Sequence, residues 1–526
     1  MTETPASRAE TSPKSAAASP AEDVARSAGR GGLAVAFAKV YFILTGMVQQ
    51  MALPQILGLG GYGALSTVQS ASSIAYNPVV SMSIQGVSRA VAQSHEADQP
   101  AAVRRTLTIH ALLTLPFAVA FFVLARPIAG LFNAPHVSGA LQLVSGVLLF
   151  YGLYAPLVGV LNGKKRFLAQ AGFDILAATL RTVGLLAGAW YFAKSFDKGV
   201  EGAIGGFVVA AACVFVTCLS VVGIGKAGHG RPTARQHLVF LGPLFAGQVL
   251  MNLLLQADSL LLRRFSGEAA EAAGLALTAA DPLVGAYRAT QLFCFLPYQL
   301  LIAITFVLFP MLATAYRDGD REAVALYVRT GVRLALVIAG AMISVTSGLS
   351  EGLLRLVFPA EAAELGTASM QVLTLGFGFF SVLAIFNAVL TSLKRERAAA
   401  FVIALAVLLV SALCFLRVRG APFGPELLWR TALATSAGLV LATLSAAALV
   451  KKTAGAVVAP LSLVRVLIAL AVAVTVGRHL PYMGKAMTLV FSGLVAAVYV
   501  VVLLLTRELT AADARIVGRV LGRGRA

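Results

Sequence analysis

Fourteen mainly apolar stretches follow one another along the chain, at 32–57, 64–91, 103–125, 137–160, 168–192, 200–225, 237–262, 281–315, 325–349, 366–391, 398–417, 426–450, 461–478 and 484–506. About 20 such residues carry a helix across the hydrocarbon core of a bilayer. The pattern predicts an all-α polytopic membrane protein of about 14 transmembrane helices. The longest connection on one side, around residues 263–281, is too short for a domain of its own. The work of the protein falls to the helices and to a cavity between them.

Polar positions break the apolar pattern in an ordered way. In the second span Ser66, Ser70, Ser73, Asn77, Ser81, Gln85 and Ser88 recur at spacings of three and four, which is one helical face. In the seventh, Gln248, Asn252 and Gln256 stand four apart, with Ser259 continuing the line. A lone hydroxyl or amide often just bonds a neighbouring helix. A whole stripe predicts the wall of a hydrated cavity.

Ionisable groups inside spans are costly and tend to face such a cavity. Arg181 sits near the middle of the fifth span, too deep to snorkel; Asp174, two turns away on the same face, is its expected partner if the pair is only structural. Lys39 in the first span lies within snorkelling reach of the surface. Arg288 opens the eighth span beside Tyr287 and Gln291, and Arg89 closes the second, where it also reads as a topology anchor. Asp258, near the far end of the seventh span, has Arg263 and Arg264 as expected partners; with Asp174 it is a candidate for ion coupling. Cations outnumber acids within the spans, a bias that suits an anionic substrate, phosphate above all.

The chain also repeats. "FYGLYAPLVGVLNGKKR" (150–166) resembles "FSVLAIFNAVLTSLKRE" (380–396), "AVAQSHEADQPA" (90–101) resembles "LATAYRDGDREA" (312–323), and "GLFNAP" (130–135) answers "RLVFPA" (355–360). The matches fall in the same order at similar offsets, as duplicated halves require. They predict two six-helix lobes related by a pseudo-two-fold axis along the membrane normal, with a central cavity between them and two extra C-terminal helices. The expected divisions are a disordered tail 1–30, an N-terminal lobe 31–225, a linker 226–236, a C-terminal lobe 237–450, helices thirteen and fourteen at 451–506, and a basic tail 507–526.

Composition and charge set the environment. The chain is 58% hydrophobic and 12% charged, with a mean hydropathy of +0.84, against about 25% charged in a soluble domain. The net charge of +19 would raise nucleic-acid binding in a soluble protein. Here the basic residues sit in alternate short loops, "GKKR" at 163–166, "LKRER" at 393–397, Lys451 and Lys452, which places both termini in the cytoplasm. Nucleic acid is not an expected partner. Cys213, Cys218, Cys294 and Cys414 lie in apolar runs, and the six histidines cluster neither with them nor with one another along the chain. No metal site, cofactor or catalytic residue is expected.

"PQILGLGGYGAL" (54–65) has the G-x-G-x-x-G spacing of a dinucleotide fold. No Asp or Glu stands between Asp23 and Glu96 to hold a ribose, and a membrane helix takes the place of the required strand. The glycines read as the turn of a helical hairpin.

Followed by the polar second span ending "GVSRAVAQ", that hairpin resembles the first of prokaryotic polysaccharide flippases. "VGAYRATQLFCFLPYQLLIAITFVLFPMLATAY" (284–316), with Pro297 and Pro310, is similar to their eighth helix. These belong to the multidrug/oligosaccharidyl-lipid/polysaccharide exporter superfamily, and the resemblance covers about residues 32–450. It implies two lobes around a V-shaped cavity that opens alternately to each side. It also implies a polyprenyl-diphosphate-linked oligosaccharide as substrate, as for O-antigen, capsule or exopolysaccharide, turned from the cytoplasmic to the periplasmic leaflet of the bacterial inner membrane. Cavity cations would hold the diphosphate, and Lys39, Arg181, Arg288 and Arg89 are the positions available here. Polysaccharide polymerases and glycosyltransferases would be its partners. The rival cargo is lipid II. A drug or cation antiporter of the same fold would want a carboxylate in the first span, which is absent; a membrane polymerase or ligase would want a large outer loop.

Overall fold

The computed structural model describes residues 20–228 and 233–509. Among these are fifteen α-helices, two short 3-10 turns and no strand. Every one of the fourteen apolar stretches lies on a helix, because lipid offers no partner for backbone N–H and C=O groups and each span must satisfy its own. Twelve helices are long and apolar enough to cross a membrane. The difference from fourteen has two local causes. α1 (Pro20–Ala92) holds the first two spans in one element, and the eighth is cut at Phe295 into α7 (Asp281–Cys294) and α8 (Leu296–Arg317). Pro297, with no N–H to give and a ring that crowds the preceding turn, falls just past that break.

α1 is a hairpin without a loop. Gly58 has φ 69° and ψ 173°, a conformation open to a residue without Cβ, and the helix resumes at once. Tyr62 Oη donates to Gln50 Oε1 at 2.5 Å; in a straight helix these positions would stand about 18 Å apart. The turn predicted at 58–63 thus comes down to one residue. Gly63 does something else. A Cβ there would collide with the carbonyl oxygen of Asp281 and stand 2.8 Å from the Gly285 nitrogen, so it marks a backbone-to-backbone crossing of α1 and α7.

The N-terminal lobe continues with α2 (Gln99–Leu131), α3 (Ser138–Gly163), α4 (Phe167–Phe196) and α5 (Gly199–Val222). The C-terminal lobe runs from α6 (Ala234–Ala272) through α7, α8, α9 (Arg321–Gly348), the short α10 (Ser350–Val357), α11 (Ala360–Ser392), α12 (Glu396–Val418) and α13 (Pro425–Ala454). α14 (Pro460–His479) and α15 (Lys485–Leu505) pair with each other and lie against α9. α3 and α11, the helices that carry the clearest repeat, are the most enclosed spans of their lobes. Both end in the same turn: Lys165 and Lys394 take φ 58° and 56°. Arg166 N then bonds Leu161 O at 2.8 Å, and Arg395 N bonds Leu390 O at 2.9 Å.

α1 starts at Pro20, so it takes up residues 20–30 of the expected disordered tail. The rest of that tail, residues 229–232 of the linker and residues 510–526 of the basic tail lie outside the described residues.

Candidate functional site

The two lobes meet along α1 and α2 on one side and α6 and α7 on the other. At mid-depth Asn77 Nδ2 donates to Asn252 Oδ1 at 2.8 Å, while Asn252 Nδ2 donates to Gln248 O at 2.8 Å. The two predicted polar stripes therefore face each other across the lobe boundary. Along the second arm of α1 they differ in exposure. Ser66, Ser70 and Ser73 are buried, Ser73 Oγ donating back to Ser70 O at 3.0 Å, whereas Asn77 and Ser81 are half-buried and Gln85 is exposed. On α6, Gln256 is half-buried with its Oε1 lacking a partner.

Three of the four expected cations gather around the first arm of α1. Lys39 Nζ lies 3.2 Å from Asp174 Oδ2 on α4. Three residues further along, the Phe42 ring faces the Arg181 guanidinium at 5.8 Å, and Phe207 of α5 faces it at 5.0 Å. Phe42 also lines a crevice of about 230 Å³ with Gly46, Gln50, Arg288, Gln291 and Gln299. Further rungs tie this arm to α4: Tyr41 Oη and Thr179 Oγ1 lie 2.8 Å apart, and Gln49 Nε2 donates to Thr182 Oγ1 at 2.7 Å. None of these rungs was expected from the sequence. Gln49 and Gln50 inside an apolar span were the available signal.

The expected pairing of Arg181 with Asp174 is not what forms. Asp174 is taken by Lys39, which reaches it from another element at 3.2 Å. Arg181 is left with an Nε that is buried and unpartnered, and with no ion pair among the described residues. A planar guanidinium held over aromatic rings with a free donor is suited to an oxyanion brought from outside the protein.

Arg288 donates from Nη1 to Gln291 Oε1 at 3.1 Å, and Gln291 Nε2 donates to Asp258 Oδ2 at 3.1 Å. Tyr287 Oη and the Ser259 backbone N–H each reach the same carboxylate at 2.8 Å. Asp258 is 1% exposed and pairs with neither Arg263 nor Arg264, the partners expected from the sequence. Those arginines sit further along α6 and turn to Asp281 and Glu268, at 3.2 Å each. One buried carboxylate thus has neutral donors, and one amide links it to a cation in the crevice.

Arg89 stands apart from the other three. It lies over the Phe240 ring at 4.1 Å, at the end of the bundle that carries the basic loops, and lines a second crevice of about 350 Å³. The lobes touch at both ends. His136 on one side and Arg263 on the other share Asp281, at 2.8 and 3.2 Å, at the end away from the basic loops. At the basic end His110 and His237 meet at 3.1 Å. Histidines that are scattered along the sequence are thereby brought together.

A family model described as polysaccharide biosynthesis protein matches residues 28–315. No curated protein sequence matches the chain. Among solved structures, the fold is similar to that of the lipid II flippase MurJ in an inward closed conformation, with a TM-score of 0.69 and 14% identity over 91% of this chain and 99% of that one. It is also similar to an inward-facing multidrug resistance MATE family transporter of the MOP superfamily, at 0.58 and 12% over 78% and 98% of the two chains. A MOP superfamily transporter from Pyrococcus furiosus matches at 0.55 and 11%, over 82% and 95%. At these identities the likeness is one of fold: a multi-pass arrangement of helices.

Proposed function

The chain belongs to the polysaccharide biosynthesis protein family, and from that premise we propose that it is a flippase for a polyprenyl-diphosphate-linked oligosaccharide. The lipid-linked sugar is carried from the cytoplasmic to the periplasmic leaflet of a bacterial inner membrane by alternating access. Both termini then lie in the cytoplasm, as the basic loops favour. The observation that carries the reading is the unpartnered Nε of Arg181, whose guanidinium faces Phe42, a residue that lines the crevice holding Arg288. The diphosphate supplies the missing acceptors, and Lys39 joins it by leaving Asp174. The polar faces of α1 and α6 give the sugars a hydrated path, while the polyprenyl tail stays in lipid. The crevice is smaller than the roughly 300 Å³ that even a drug-sized ligand fills, so the lobes must part for a glycan to enter.

Asp258 supports an ion-coupling role. Its carboxylate is the buried acid of this region, and Gln291, which bonds both it and Arg288, would pass a change of its charge to the crevice.

The test is leaflet accessibility of a labelled lipid-linked sugar in liposomes holding the full chain. Arg181→Ala is expected to lower translocation at least tenfold with normal insertion, and Arg181→Lys to keep part of it. Wild-type flipping by the alanine variant would overturn the assignment. A second reading, lipid II as cargo, takes its support from the MurJ-like fold, which covers 91% of this chain. Supplying each labelled lipid in the same assay separates the two.

A further inference from the structure

His110 on α2 and His237 on α6 come from different lobes and are separated by 127 positions, yet their Nε2 atoms lie 3.1 Å apart with the rings edge to face. Both side chains are buried, and Ser83 Oγ on the second arm of α1 stands 3.0 Å from His110 Nδ1. His237 also borders the crevice that opens at the basic end, so water and protons reach the pair from that side. We propose that this histidine pair is a proton-operated latch that holds the two lobes together at the basic end of the bundle. The proposal does not depend on the identity of the cargo.

The chemistry follows from one shared proton. At 3.1 Å, one Nε2–H must donate and the other Nε2 must accept. Ser83 accommodates either choice, because its hydroxyl can donate to His110 Nδ1 or accept from it. A single added proton is tolerated: one ring becomes imidazolium and still donates across the lobe boundary. A second proton is not. Both Nε2 atoms then carry hydrogen, the bond is lost, and two positive rings face each other in a buried contact.

The neighbours offer no compensation. The second arm of α1 presents Ser83 and Gly86, with Arg89 one turn on over Phe240. α2 itself presents Thr106 and Thr114 a turn to either side of His110, and Thr114 abuts Gly152 of α3. α6 presents Gln236 and Leu241, with Arg235 exposed. Among the described residues no carboxylate bonds or ion-pairs with either ring. Arg89 adds positive charge and so favours parting once the pair is doubly protonated. Acid at this end therefore stabilises the arrangement open to it.

The experiment follows the distance between exposed positions on the two lobes. Arg104→Cys on α2 and Arg235→Cys on α6 take spin labels in the full chain, after the exposed Cys213 is changed to Ser. In lipid nanodiscs, lowering the pH from about 8 to about 5 is expected to raise the long-distance population several-fold. His110→Gln and His237→Gln, made separately, keep a side chain that can donate or accept but that does not titrate. Each is expected to flatten the response, and either one suffices should the other fail to fold. No response in the parent, or the same response in a folded glutamine variant, would overturn the latch.

Discussion

Between Phe42 and Phe207, the guanidinium of Arg181 is held in place by two aromatic faces and, among the described residues, by no acid. Position in the fifth span was legible from the chain; the lack of a partner was not, because Asp174 stands on the same helix face and looks like the natural mate. The decision belongs to Lys39, which comes in on another element. Asp258 teaches the same lesson with the opposite sign, since two arginines near it in sequence turn elsewhere. Asp258→Asn keeps an oxygen for Tyr287 to donate to and keeps the volume, so the fold is retained. Substrate turnover under an imposed ion or proton gradient is expected to lose its dependence on that gradient, as measured in liposomes with and without an ionophore. A gradient response equal to the parent's removes Asp258 from coupling.

Helical elements here are defined by local demands, and their junctions by single residues. "PQILGLGGYGAL" contains both kinds of glycine. Gly58 supplies the positive φ that folds α1 back on itself, while Gly63 lets the α1 and α7 backbones touch. The hairpin could be read from the cluster of glycines, but which glycine turns and which packs needs the partner helix. A side chain at position 63 meets backbone atoms, which cannot swing aside. Gly63→Val is therefore expected to destabilise the closed contact by about 1–3 kcal/mol, the range for overpacking. Its signature is a wider separation of labels on α1 and α7 at the end away from the basic loops, with a lowered thermal midpoint. An unchanged separation would show that the crossing is not a site of lobe contact in solution.

Across the whole molecule, contacts between lobes form at both ends and at mid-depth, so the crevices that remain are small. Opening must exchange these contacts rather than bend the lobes. The C-terminal pair is tied to this body by Glu508. Its side chain is 1% exposed and lies 2.8 Å from Arg333 of α9 and 3.5 Å from Arg465 of α14. Arg333 and Arg465 are about a third exposed, so removing Glu508 is expected to cost less than the about 3–5 kcal/mol of a fully buried pair. Glu508→Ala is expected to lower the thermal midpoint in detergent and to expose the connection between α13 and α14 to protease, while Arg181-dependent activity in intact membranes survives. Loss of activity with no loss of stability would place Glu508 in transport rather than in docking.

Lipid imposes its demand on each span separately: enough apolar length, satisfied backbone, polar groups kept to one face. The chain by itself therefore determined the spans and the two polar stripes, since each is a property of residues a few positions apart. Tertiary structure alone decided that Lys39 takes Asp174, that Gly63 touches α7, and that His110 finds His237. These are choices between groups separated by more than a hundred positions, made over a few ångströms. Periodicity says which way a side chain faces on its own helix. Only packing says what stands opposite.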